Sequence, residues 1–173
     1  MNTQVQSLRY RDAQLVDLPL IVSIYNSTVK GRMVTADTEA VTVESRLPWF
    51  SQHNPLTRPL WIVESAEDEI IGWVSFQSFY GRPAYDGTVE ISIYIDEKQR
   101  KKGYGKTILQ EAVNRAPDLQ VSTILAFIFA HNTPSIRLFE KAGFLEWGNF
   151  PDIAVLDGIQ RSLIILGRKV GES

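Results

Sequence analysis

Ile95-Asp96-Glu97-Lys98-Gln99-Arg100-Lys101-Lys102-Gly103-Tyr104-Gly105-Lys106 joins the end of a β-rich run to the start of a helical one. Upstream, Thr88 to Ile95 alternates between polar and apolar, so Val89, Ile91, Ile93 and Ile95 share one strand face and Thr88, Glu90, Ser92 and Tyr94 the other. Downstream, Ile108, Leu109, Ala112 and Val113 recur at helical spacing within 106–115, and Pro117 is expected to stop that helix. A strand, a glycine-bearing turn and a helix in this order bring unpaired backbone N–H groups and the positive end of a helix dipole to one spot, which the glycines let a ligand approach closely. Arg100, Lys101, Lys102 and Lys106 add local positive charge. The combination suits a pyrophosphate.

Two better-known phosphate loops fail on spacing. A P-loop, G-x-x-x-x-G-K-[ST], fits Gly105-Lys106-Thr107 but needs glycine where Arg100 stands. A dinucleotide fingerprint needs a third glycine where the chain has Ile108. The plain alternative is a solvated basic turn.

Around this segment, 173 residues with 44% hydrophobic content suit one domain with one core. A net charge of −2 argues against a nucleic-acid or anionic-membrane surface built from global charge. The chain has no cysteine, which excludes disulfides, cysteine-based zinc sites and a cysteinyl acyl-enzyme. No apolar run approaches the roughly 20 residues that span a bilayer, and 1–6 lack the basic start and apolar stretch of a secretory signal. A soluble, cytoplasmic protein with no metal is expected.

Leu8 to Arg11 reads as a strand, and Asp17-Leu18-Pro19 as the start of a helix with Leu20, Ile21, Ile24 and Tyr25 on one face. The stretch 29–40 has no period and reads as a loop over a site. A second helix, about 43–53, contains Pro48. Leu60–Val63 and Ile70–Phe76 form a hairpin around an acidic turn, and 81–87 is a turn-rich connection. Thr123–Phe129 is an apolar run suited to a strand buried on both faces. Thr133-Pro134 caps and opens a helix that Gly143 ends, with Ile136, Leu138, Phe139 and Ala142 inward. Phe144–Phe150 and Gln160–Gly167 supply two last strands, and Trp49, Trp61 and Trp73 are assigned to the core. The expected fold is α/β (α+β), a mixed sheet flanked by helices.

The Arg100-x-x-Gly103-x-Gly105 segment resembles the acetyl-CoA signature [QR]-x-x-G-x-[GA] of the GCN5-related N-acetyltransferase (GNAT) family. His131-Asn132-Thr133-Pro134-Ser135 through Glu140-Lys141-Ala142-Gly143-Phe144 is similar to the family's second signature segment. Ile24-Tyr25-Asn26, Arg82-x-Ala84-Tyr85-Asp86, Thr88-Val89-Glu90 and Ile93-Tyr94-Ile95 resemble the phosphinothricin and methionine sulfone or sulfoximine acetyltransferases in particular. The resemblance implies the GNAT fold with a mostly antiparallel central sheet, acetyl-CoA as co-substrate, a small-molecule amine as acceptor, and a homodimer.

Aminolysis of a thioester needs a neutral amine, so a base must take a proton from the α-ammonium of an amino-acid-like acceptor. Glu90 is the candidate base. From the residues alone an ordinary cross-strand charge is equally open, and the resemblance favours catalysis. The resemblance further implies that Ile93, Tyr94 and Ile95 run along the pantetheine arm, that Lys101, Lys102, Gly103, Tyr104, Gly105 and Lys106 cradle the pyrophosphate after Arg100, and that Asn132 and Ser135 contact the co-substrate. Asn132 also reads as a helix cap. Where the family often has a thiolate-protonating tyrosine, this chain has Phe139, and His131 reads as a capping or surface residue. Arg82, Tyr85 and Ser92 are the candidates to meet the acceptor beside Glu90. Other acceptors (polyamine, aminoglycoside, protein N-terminus) and a catalytically silent CoA-binding sensor stand as alternatives.

Overall fold

Period-two patterning becomes a seven-stranded sheet in the order β1-β2-β3-β4-β5-β7-β6. The strands are β1 (Leu8–Asp12), β2 (Leu60–Ser65), β3 (Ile70–Ser78), β4 (Thr88–Ile95), β5 (Thr123–Phe129), β6 (Leu145–Leu156) and β7 (Ile159–Lys169). The helices are α1 (Leu18–Asn26), α2 (Val43–Ser51), α3 (Tyr104–Arg115) and α4 (Thr133–Lys141). This computed structural model describes residues 7–171; the stretch 1–6, read as lacking a secretory signal, lies outside them. Every strand pair is antiparallel except β4–β5.

The two faces of the sheet bury different helices. On one, Ile108, Leu109 and Ala112 of α3 pack on Val74, Phe76, Ile124 and Leu166, all fully buried, with Phe139 and Phe144 closing the end. On the other, Ile21 and Ile24 of α1 pack on Leu60, Ile62 and Trp73. The alternation in β3 explains the division: Val74 and Phe76 face α3, whereas Trp73 faces α1. The apolar β5 lies inside the sheet, between β4 and β7.

Several boundaries differ from expectation. Helix α1 begins where expected, but Asp17 does not cap it: its carboxylate takes two bonds from Arg11 and one from the Gln14 N–H. Helix α3 starts two residues early, at Tyr104. Pro117 sits inside a following 3-10 turn, Ala116–Leu119, at an early position where no N–H is required. The cap of α4 is Asn132, one residue before Thr133; Phe139 is buried, and Ile136, Leu138 and Ala142 pack partly buried against the same core, the inward face expected. Helix α2 ends at Ser51 with none of its residues fully buried.

The largest departure is β6, which continues past Phe150 to Leu156 and turns through Asp157-Gly158 into β7. Both turn residues have positive φ, 50° and 78°, as a two-residue type I′ hairpin requires. Asp-Gly between Val155-Leu156 and Ile159 is the signal that identifies this hairpin. Trp61 and Trp73 are core residues, but Trp49 is only half-buried.

Candidate functional site

Strands β4 and β5 pair only from Thr88 to Glu90 against Thr123 to Leu125. Strand β4 nevertheless stays paired with β3 as far as Ile95. From Ile91 onward β4 therefore keeps one edge unpaired, and the diverging strands open a cleft of about 730 Å³. Its walls are Ile91–Ile95, Ala126–Phe129, the loop from Ser27 to Ala36, and the facing starts of α3 and α4.

The Arg100–Lys106 segment lies at one end of this cleft, with Arg100 and Gly105 on its wall. Lys101 and Gly103 take left-handed φ values of 61° and 82°, and Gly103 is the N-cap of α3. The first turn of α3 thus presents its unpaired N–H groups and its positive dipole end, with Lys101, Lys102 and Lys106 exposed around them. Gly105 also lets α3 and α4 approach closely, since a Cβ there would lie 3.2 Å from the Leu138 side chain. Arg100 acts as a brace: its Nε donates to the Ile95 carbonyl at 3.1 Å and its guanidinium to Ser27 Oγ at 2.8 Å.

Asn132 and Ser135 also line the cleft. Buried Asn132 accepts from the Ser135 N–H at 3.4 Å and donates to the Met33 carbonyl at 3.2 Å, so it caps α4 and ties down the loop over the site. His131 Nε2 donates to the Arg32 carbonyl at 2.7 Å, and Arg32 pairs with Asp157 at the β6–β7 turn at 2.9 Å. His131 therefore holds the same loop. Phe139 lines the cleft with its ring edge-on to Phe144, 5.0 Å away.

Glu90 sits at the point where β4 and β5 separate, on the same strand face as Ser92 and Tyr94. It is half-buried, and burial pushes its carboxyl above the ordinary glutamate range. Among the described residues no side chain or backbone N–H bonds to it. A desolvated carboxylate without a partner is a strengthened proton acceptor facing the cleft. Burial also raises the phenols of Tyr25 and Tyr94, which makes both weaker acids than free tyrosine.

Ser92 and Tyr94 line a second cavity as well, of about 170 Å³, between α1, α2 and the sheet. Trp49, Trp73 and Tyr25 supply aromatic walls, and Arg46 supplies the cation. Arg46 lies over the Tyr25 ring at 4.6 Å and donates to Asp37 Oδ2 at 2.9 Å; the Tyr25 hydroxyl bonds both Asp37 and Thr35. Arg82 and Tyr85, the expected acceptor contacts, stand exposed around the 3-10 turn Pro83–Tyr85 and line neither space. Arg46 is not among the expected residues, although Arg46 and Trp49 stand at i and i+3 on one side of α2. Among the described residues no group of three or more His, Cys, Asp or Glu side chains could hold a metal, and no helix is long and apolar enough to cross a membrane.

A strand edge left open inside a sheet, beside a glycine-bearing helix N-terminus, is an arrangement whose chemistry suits an extended ligand ending in phosphates. Residues 22–144 match the Acetyltransferase (GNAT) family. The Bacillus subtilis protein YwnH, which carries a provisional phosphinothricin acetyltransferase name, is 54% identical over 160 residues, 92% of this chain and 98% of its own. The L-methionine sulfoximine/L-methionine sulfone acetyltransferase of Pseudomonas aeruginosa PAO1 is 31% identical over 85% of this chain and 86% of its own. A phosphinothricin acetyltransferase from Sinorhizobium meliloti, solved with acetyl-CoA, superposes with a TM-score of 0.87 at 28% identity, covering 96% of this chain and 90% of its own. The chain belongs to the GNAT acetyltransferase family and is an acetyltransferase.

Proposed function

We propose that this single-domain enzyme transfers the acetyl group of acetyl-CoA directly to the α-amine of a small amino-acid-like acceptor of the phosphinothricin, methionine sulfone or methionine sulfoximine type. The observation that carries the reading is Glu90, desolvated and unpartnered at the fork of β4 and β5, where the open strand edge begins.

The residues present fit acetyl-CoA. The free edge of β4 from Ile91 to Ile95 offers alternate N–H and C=O groups to an amide-bearing arm, and the N-terminus of α3 with Lys101, Lys102 and Lys106 suits phosphates. Bound there, the co-substrate supplies an activated acetyl thioester. Glu90 takes the proton from the acceptor ammonium, directly or through water, leaving the amine lone pair free to attack. Backbone N–H groups of the open edge stand ready for the carbonyl oxygen as it gains negative charge. Phe139 has no proton to give; as the C–S bond breaks, the attacking nitrogen gives up its second proton and the departing thiolate takes it, so no separate protein acid is needed.

The acceptor class follows from the charge of the second cavity. Its wall carries Arg46, whose charge Asp37 compensates at 2.9 Å, and no carboxylate of its own, so nothing in the wall attracts a polycation such as a polyamine. The reading also includes a homodimer, supported by the exposed Trp147, Phe150 and Val155 along the sheet-edge strand β6.

A thiol-release assay with acetyl-CoA against phosphinothricin, methionine sulfone and spermidine tests the acceptor assignment. Turnover with the two amino-acid analogues and little with spermidine is expected. Preference for spermidine would reverse the assignment, and tight CoA binding with no acetylation of any amine would favour a silent sensor.

A further inference from the structure

We infer that the aromatic cavity beneath α1 and α2 receives the side chain of the acceptor, and that Arg46 is the residue that selects it. The inference rests on the proposed reaction at Glu90 and adds where the rest of the acceptor lies.

Continuity is the first argument. Ser92 and Tyr94 line both spaces, so the cavity adjoins the cleft along the polar face of β4. Glu90 lies on that face two residues before Ser92, a separation of about 6–7 Å along a strand. An amine at Glu90 and a tail in the cavity thus differ in position by only a few bonds, the span of an amino-acid side chain.

Size is the second. At about 170 Å³ the cavity is close to an engineered apolar cavity of about 150 Å³ that admits benzene. It suits a compact tail of roughly that bulk and excludes a long chain or a folded peptide segment.

Chemistry is the third. Trp49 and Trp73 meet at 5.5 Å, Trp73 stacks on Tyr94 at 4.5 Å, and Tyr25 adds a fourth ring, so most of the wall is polarisable carbon. Asp37 compensates the charge of Arg46 but uses only part of its five-donor fork. The cavity is thus near neutral and carries N–H donors. Such a site favours an uncharged or anionic tail with strong acceptor oxygens, as a sulfone, sulfoximine or phosphinate has, over a cationic tail or a plain thioether.

Val41 provides a test that leaves this charge network in place. Its backbone is clamped on both sides by Asn26, each bond 2.9 Å, while its side chain forms part of the cavity wall. In Val41→Phe, kcat/KM for methionine sulfone should fall by about tenfold or more, the scale on which pocket size discriminates, while KM for acetyl-CoA stays unchanged. In Arg46→Gln, the preference for methionine sulfone over methionine should collapse. Calorimetric titration of methionine sulfone into the CoA-bound wild-type and Val41→Phe proteins should show the same loss without turnover, and thermal melts establish that each variant is folded. Wild-type turnover of the sulfone with both folded variants matching it would overturn the cavity assignment while leaving the proposed reaction standing. Failure of the wild-type protein to bind or acetylate any amino-acid analogue would remove both.

Discussion

Glu90→Gln separates a catalytic from a structural carboxylate. Glutamine keeps the shape of glutamate and removes its charge and basicity. Among the described residues Glu90 makes no hydrogen bond or ion pair, and burial is the cause of its raised pKa, so the substitution breaks no native contact and relieves a desolvation penalty. The melting temperature should therefore hold or rise slightly. Turnover should fall by about 10²–10⁴-fold, the usual contribution of a positioned general base, which corresponds to about 3–5 kcal/mol of barrier. KM for acetyl-CoA should stay near wild type, because Glu90 precedes the open edge. The wild-type kcat/KM for the acceptor should decline as pH drops through the raised Glu90 pKa, and that limb should vanish in the variant. The assay is thiol release at saturating acetyl-CoA across pH, paired with thermal melts. Undiminished turnover on a true acceptor would refute the assignment; a clear loss of stability would show that the carboxylate has a structural partner.

The backbone of Gly103 yields a second prediction: its φ of 82° makes Gly103→Ala cost about 1–2 kcal/mol, although the new Cβ meets nothing within 4 Å. The loop should relax out of its cradle, raising KM for acetyl-CoA with a melting temperature lowered by a few degrees, which steady-state kinetics and calorimetry would detect. A third concerns His53, whose ring accepts from Ser75 Oγ at 2.7 Å and whose pKa burial lowers. The unfolded chain takes up this proton first, so the contribution is complete above the unfolded value of about 6.5 and is lost as pH falls through the lowered folded value. Glu90, with its raised pKa, works in the opposite sense as pH falls. The measurement is therefore the difference between wild type and His53→Gln in urea midpoint at pH 7.5 and pH 5, expected to shrink at the lower pH; a constant difference would rule out titration of His53.

What was legible in the sequence was what local pattern controls. The alternation of Thr88–Ile95, the apolar run of β5 and the helical period after Lys106 identify elements whose burial on a known face leaves one solution. The basic glycine turn was legible for the same reason: left-handed backbone and a helix start are local events. The end of β6 was missed because Pro151 and Asp152 interrupt its alternation, and the strand passes them with a register shift between Phe150 and Ala154. Arg46 was missed because α2 buries none of its residues fully, so no apolar stripe fixes which side faces the sheet. Arg82 is adjacent to the Glu90 strand in the chain, but the turn at Pro83 leaves it in solvent. The cavity depends on α1, α2, β3 and β4 meeting, which is a tertiary fact.

The parting of β4 and β5 has a consequence for solubility. An unpaired strand edge is the feature by which proteins most readily recruit one another into extended sheets, and exposed edges are commonly blunted with charge, proline or a covering element. Here the unpaired edge lies inside a fork, with β5 on one side and the loop from Ser27 to Ala36 across the opening. Another protein's strand, with side chains on both faces and neighbours attached, is too broad to enter, whereas a thin flexible chain of amides is not. The geometry that leaves this edge open within the cleft also shields the molecule from self-association through it.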